Sequence, residues 1–304
     1  MLAASIDVVR PERGDEVLAD YLACLMRDGY LVIPNAIDPI IHEAFAQDLD
    51  AMFARTPHGR GGFYGETTKR FGRLLYRSRH ARHFACHPLM RRIVEAVLLN
   101  KDCNRILLNL TQAIEIHPGA PLQCPHRDHD MFGGEKGGAE YMLNIMWPID
   151  DFTADNGATR IWPGSNHGDM ADFLLPEEAS IPVIAPRGSA ILFLGSTVHA
   201  GSANRSRRAR RGAIFSYCQG WLRPWENPWL AYPPRIARRF DREVQELIGY
   251  SQHLPSLGNF EGKCPSVLLE EPDADHLGFV DSLRPDQAEL VREYQRLHSA
   301  RSAA

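Results

Sequence analysis

The feature that most constrains this chain is a change of residue period at Arg105. From there Ile106, Leu108, Leu110, Ile114 and Ile116 alternate with Asn109, Thr111, Ala113, Glu115 and His117. Tyr141, Leu143, Ile145, Trp147 and Ile149 alternate in the same way. Successive side chains of a strand point to opposite faces, so a period of two with one polar face predicts strands. Ala190 to Leu194 is a short apolar run after the turn Pro186-Arg187-Gly188, and Ala213 to Leu222 is a further strand candidate. Turn pairs separate them: Pro118-Gly119, Gly133-Gly134, Asn156-Gly157 and Pro163-Gly164. Short strands with frequent turns predict a sandwich or barrel.

Helical spacing flanks this β stretch. Leu18, Leu22, Leu25 and Met26 form a stripe from Asp15 to near Gly29. Asp38-Pro39 reads as an N-cap followed by a first-turn proline, with Ile41, Phe45, Leu49 and Met52 on one face behind it. His87 to Leu98 predicts a third helix, and a last one starts at Pro285 and carries Leu290, Tyr294 and Leu297. The expectation is one domain over 1–304: a helical part to 104, a mainly β core over 105–225, and a helical part from 226.

With 304 residues and 44% apolar content, the chain is long enough to bury a sizeable core. A net charge of −4 gives no global attraction to nucleic acid or membrane, and no stretch approaches the roughly 20 apolar residues of a membrane helix. Cys24, Cys86, Cys103, Cys124, Cys218 and Cys264 are scattered without a CxxC pair, which speaks against a zinc site and for reduced thiols in the cytoplasm.

His126-Arg127-Asp128 follows the first strand. In extended chain, residues two apart share a side, so imidazole and carboxylate can grip one ion together. A second imidazole completes a face of two histidines and one carboxylate, with open positions suited to ferrous iron, a chelating acid and oxygen. His199, just past the buried run Ala190 to Leu194, is the natural third ligand. His167-Gly168-Asp169 has the same spacing and serves as an internal decoy. It follows Pro163-Gly164-Ser165, a loop signature, and leaves room for only one or two strands before His199. His117 and His129 are expected beside the site or facing solvent.

Arg205, Arg207, Arg208, Arg210 and Arg211 form the one dense basic cluster. A hairpin tip explains most of it; a nucleic-acid patch lacks interleaved aromatics. A dicarboxylate chelating iron at one end needs a fixed cation at the other, and arginine's planar fork suits that task. Adjacent strand residues point oppositely, so one of Arg210 and Arg211 faces the pocket; Arg210 is favoured and Arg211 is the alternate.

Together these residues resemble the phytanoyl-CoA dioxygenase family of iron/2-oxoglutarate oxygenases. The resemblance runs through Asp28-Gly29-Tyr30-Leu31-Val32-Ile33-Pro34-Asn35, Gln123-Cys124-Pro125-His126-Arg127-Asp128, Asp155-Asn156-Gly157-Ala158-Thr159-Arg160, and His199-Ala200-Gly201-Ser202-Ala203-Asn204 leading to Arg210-Arg211. It implies a double-stranded β-helix, or jelly roll, with flanking helices. It implies Fe(II) on His126, Asp128 and His199, 2-oxoglutarate as co-substrate and O2 as oxidant. Arg210 (or Arg211) would hold the distal carboxylate, and Gln123 and Thr159 match positions that contact the co-substrate. Cys124-Pro125 departs from the bulkier or polar residues frequent there. Asp128 is the carboxylate that iron halogenases of this fold lack, so hydroxylation or a related oxidation is expected. The resemblance is closest to members acting on bacterial and fungal secondary metabolites. The substrate is then a small, apolar molecule, with Asn109, Thr111, Phe63, Tyr64, Phe132, Trp221 and Trp225 as candidate pocket residues. The rivals are a metal-binding jelly roll without activity and a nucleic-acid module on 205–211.

Overall fold

The computed structural model describes residues 14–134, 138–168 and 175–302. Helices over Gly14–Asp28, Pro39–Arg55 and Pro88–Leu98 form where the stripes predict them. Asp38 caps the second, its side chain accepting from the amides of Ile40 and Ile41. Gly29, at φ +79°, ends the first in a left-handed conformation that a Cβ would strain.

Nine strands lie among the described residues: β1 (Tyr30–Ile33), β2 (Thr68–Gly72), β3 (Ile106–Ile116), β4 (Met142–Pro148), β5 (Thr159–Ile161), β6 (Ile181–Pro182), β7 (Ala190–Leu194), β8 (His199–Gly201) and β9 (Arg210–Gln219). They form a six-stranded antiparallel sheet, β1-β7-β4-β9-β3-β2, and a smaller sheet, β6-β5-β8. Segment 123–126 extends the smaller sheet beyond β8: the Gln123 amide donates to Gly201 O at 2.9 Å, and His126 and His199 exchange two backbone bonds at 3.0 Å. Two facing antiparallel sheets with helices outside are the jelly roll that the family resemblance implies, and they meet the sandwich or barrel expected from the alternation.

β1 and β2 come from the part of the chain that reads as helical by its spacing, but β1 falls within Asp28 to Asn35, the segment that resembles the family's opening strand. β2 (Thr-Lys-Arg-Phe-Gly) buries Thr68 and Phe71, three apart, so it shows no period of two. β1 is carried by its partner β7, which it pairs residue for residue from Tyr30 opposite Phe193 to Ile33 opposite Ala190.

The strand carrying the period change holds a correction. The register of β3 against β9 shifts between Leu108 and Leu110, leaving Asn109 as the extra residue of a bulge. One extra residue flips every later side chain to the opposite face. Ile106, Leu108 and Ala113 therefore join the apolar cluster under the helices, while Leu110, Ile114 and Ile116 join the cluster between the sheets. Asn109 and Thr111, expected to line the pocket, do not: the bulge hides Asn109 and turns Thr111 outward, where it accepts from Leu74 N and meets Tyr232 Oη.

Candidate active site

A cavity of about 300 Å³ lies between the sheets. Its floor is apolar, from Leu110, Ile114 and Ile116 of β3, Met146 of β4, Phe193 of β7 and Ile214 of β9. At one end His126, Asp128 and His199 each offer a ligand atom, all within 4.8 Å of one another. His126 Nε2 stands 3.6 Å from Asp128 Oδ1, and His199 Nε2 stands 3.5 Å from Asp128 Oδ2.

Both imidazoles are held in one tautomer. His126 Nδ1 lies 2.9 Å from Cys124 O and His199 Nδ1 lies 3.1 Å from Thr197 O. A carbonyl only accepts, so Nδ1 carries the proton and Nε2 presents its lone pair to the cluster. Burial, reinforced by the neighbouring His199, pushes His126 down to about 4, so it stays neutral and able to ligate near neutral pH. Asp128 opens a short 3-10 turn, Asp128–Met131, and the fully buried Asn144 of β4 donates to its Oδ2 at 2.9 Å. Such supporting bonds orient a ligand before metal arrives. Cys124, the departure seen in sequence, contributes through its backbone carbonyl, where side-chain identity matters little.

The two arginines separate cleanly. Arg211 points away from the cavity. Its amide and Nε both donate to Asp150 Oδ2, its Nη2 to Asp150 Oδ1 at 2.8 Å, and its Nη1 to Asp50 Oδ1 at 2.7 Å. Arg210 is 2% exposed, faces the cavity, and stacks 4.1 Å above the Phe152 ring. Its Nη2 donates to Gly157 O, in a turn where φ +84° favours glycine, while its Nε and Nη1 have no hydrogen-bond partner among the described residues. Burial and the like charge of Arg70 push Arg210 down to about 9, so it remains a cation. A buried cation with unused N–H groups is a cost that an anion would relieve.

Thr159 lines the same cavity from β5. Gln123 lines it too, and is held at both ends: its Oε1 accepts from Gly201 N at 3.0 Å and its Nε2 donates to Phe63 O at 3.3 Å. Arg70 is a cavity residue that sequence reasoning missed. It stands opposite Ile114 in register and donates to Gln112 Oε1 at 3.2 Å. The signal was the strand β2, masked by its run of two cations.

Elsewhere the expected residues disperse. His167 is exposed, its Nε2 3.2 Å from Arg27 O, and Asp169 lies outside the described residues. Arg205, Arg207 and Arg208 are exposed in the turn between β8 and β9. His117 pairs with Glu115 at 2.7 Å, and His129 is buried against the Tyr141 ring. Phe63, Tyr64 and Trp225 line the cavity; Phe132 and Trp221 line a neighbouring cleft.

The model of the phytanoyl-CoA dioxygenase (PhyH) family matches residues 25–212. The chain belongs to the phytanoyl-CoA dioxygenase family. It is an iron(II)/2-oxoglutarate-dependent dioxygenase, and the two-histidine, one-carboxylate set with a buried cation behind it fits both groups. Relatives in this family include the dioxygenase trt7 of Aspergillus terreus, 30% identical over 74% of this chain and 82% of its own length. The dioxygenase FrzG of a Cladobotryum species is 29% identical over 75% of this chain and 83% of its own. The fold is also that of the epimerase SnoN, crystallised with Fe3+, alpha ketoglutarate and nogalamycin RO (TM-score 0.57, 20% identity, 68% of this chain and 85% of that one). HygX of Streptomyces hygroscopicus, crystallised with nickel, 2-oxoglutarate and hygromycin B, shares it at a TM-score of 0.54 and 16% identity, over 68% of this chain and 89% of that one. Among the described residues no helix is long and apolar enough to cross a membrane.

Proposed function

We propose that this dioxygenase hydroxylates an unactivated C–H bond of a small, largely apolar secondary metabolite. The observation that carries the reading is the pairing, in one cavity, of three converging ligand atoms with a buried arginine whose Nε and Nη1 lack partners among the described residues. That is the arrangement needed to hold a metal and, behind it, the far carboxylate of a chelating dicarboxylic acid. Proteins of the same fold crystallised with nogalamycin RO and with hygromycin B bound support a small natural product as the substrate, while its apolar character rests on the lining of the cavity.

In this reading His126 and His199 bind Fe(II) through Nε2, and Asp128 binds through a carboxylate oxygen steadied by Asn144. Arg210 takes the distal carboxylate of 2-oxoglutarate, with Thr159 and Gln123 beside it. Arg211 keeps Asp150 and Asp50 as its partners and serves stability. Arg70, facing the same space, adds positive charge near the keto acid. When bound, iron and 2-oxoglutarate use oxygen to supply the oxidising power, with succinate and carbon dioxide as by-products. The protein's part is positional: Phe63 packs edge-on against His126 at 4.8 Å and Phe193 lies 4.6 Å from His199, shielding the metal face from water. We take the chain to work as one domain in the cytoplasm, a reading supported by six free cysteines.

The test is succinate release from purified protein given Fe(II), 2-oxoglutarate and air. Turnover is expected, and His126→Ala and His199→Ala should abolish it. No succinate across a broad panel of apolar substrates, with iron loading confirmed, would contradict the proposal.

A further inference from the structure

We infer that the substrate site continues past Trp225 and Met131 into a second apolar cleft, which holds the far part of a rigid fused-ring substrate. This rests on the oxygenase reading and deepens it.

Two cavities meet at this point. The metal cavity of about 300 Å³ and a cleft of about 490 Å³ both count Met131 and Trp225 among their walls. Pockets for drug-sized ligands run from about 300 to 1,000 Å³. The metal cavity sits at the bottom of that range and must also hold 2-oxoglutarate. A substrate larger than a single ring therefore needs more room, and the adjoining cleft supplies it.

The cleft is built for apolar contact. Phe132, Tyr141, Trp221, Leu222 and Pro224 line it, and among the described residues Arg223 is the one charged side chain in its lining. Trp221 stands edge-on to Tyr141 at 6.0 Å, and Trp221 and Trp225 remain 43% and 49% exposed. Two half-exposed indoles on one wall form an apolar surface of the kind that marks a binding site.

The divider between the cavities is fixed from beneath by one buried side chain. Asn109, the bulge residue of β3, accepts from Trp225 N at 2.8 Å through Oδ1 and from Glu226 N at 3.0 Å through its carbonyl. Its Nδ2 reaches Ser216 Oγ at 3.3 Å and Met131 Sδ at 3.8 Å. Glu226 then accepts from Arg73 N at 3.0 Å, tying the segment to the end of β2. A wall held this firmly suits a rigid ligand, which loses little freedom on binding. The cation at the lip, Arg223, disfavours a cationic ligand. Asn109 is thus a positioning residue for Trp225.

The experiment is anaerobic equilibrium dialysis of the enzyme loaded with Fe(II) and 2-oxoglutarate, using a tetracyclic steroid ketone and the bicyclic 1-decalone as probes. Trp221→Ala and Leu222→Glu each alter the second cleft alone. The tetracycle should lose about tenfold in affinity in each variant, the scale of one lost aromatic contact, while decalone binding holds steady. Equal retention of the two probes by the parent enzyme, or tetracycle binding untouched in both variants, would overturn the inference. The visible charge-transfer band of 2-oxoglutarate on Fe(II), read in the same samples, separates the two failures. A missing band sinks the oxygenase reading itself; an intact band without size preference sinks only the second cleft.

Discussion

The two ends of the pocket are built in opposite ways. The polar end hangs from paired backbone: His126 bridges to β8, His199 sits in β8, Arg210 in β9, and Asp128 is braced from β4. The apolar end is made of Phe63, Tyr64, Met131, Trp221 and Trp225, all between 40% and 49% exposed and carried by turns and loops. Chemistry that needs donors fixed to fractions of an ångström sits on strands, whereas contacts that choose a substrate sit where residues can change without disturbing the sheets. The polar end should therefore respond steeply to single substitutions and the apolar end gently.

The largest effect should come from the ligands. Asp128→Ala should cut succinate formation by more than the roughly 100-fold typical of a supporting residue. Retained turnover would break the comparison at its centre. Arg210→Ala should raise the KM for 2-oxoglutarate by about 10- to 100-fold, since a charge-assisted bond contributes about 1.5–3 kcal/mol. Arg211→Ala should leave that KM alone and cost at most about 1 kcal/mol in urea denaturation, because its ion pairs are partly solvated. The reverse pattern would swap the two arginines. Asn144→Ala should weaken iron binding or activity by about 10- to 100-fold while the fold stays intact, read by circular dichroism alongside metal titration.

Smaller still is the pH dependence of the metal-free protein. Burial lowers both His87 and His126 from their ordinary 6.5. Below that pH the unfolded chain takes up protons that the folded one refuses, so stability falls as pH drops through the window toward 4. The thermal midpoint should decline from pH 7 to 5, and at least as steeply with Fe(II) bound, because protons also compete with the metal for the imidazoles; a flat profile would contradict it. At the apolar end, Tyr64→Ala should change stability within about ±0.5 kcal/mol, as expected for an exposed side chain.

The contrast also explains what sequence could reveal. The metal residues were legible because their chemistry fixes residue type and spacing: His126 and Asp128 two apart, His199 after a buried strand. The choice between Arg210 and Arg211 turned on strand parity, which needed the register of β9 against β3 to set which residue meets Ile116 from inside. Asn109 and Thr111 were misread because a bulge leaves no mark in the alternation until pairing reveals it. Arg70 was missed because β2 is an edge strand without period. The cleft beside Trp221 has no sequence signature, since it is assembled from segments near 131–134, 141 and 221–225 that meet only in the fold.

The central claim is that His126, Asp128 and His199 hold one Fe(II) that 2-oxoglutarate then chelates with Arg210 behind it. Anaerobic titration of the protein with Fe(II) in the presence of 2-oxoglutarate tests it most directly. A visible charge-transfer band should rise to saturation at one iron per chain, vanish in His199→Ala, and need far more 2-oxoglutarate in Arg210→Ala. A band that forms equally well in His199→Ala, or none in the parent protein, would contradict the account.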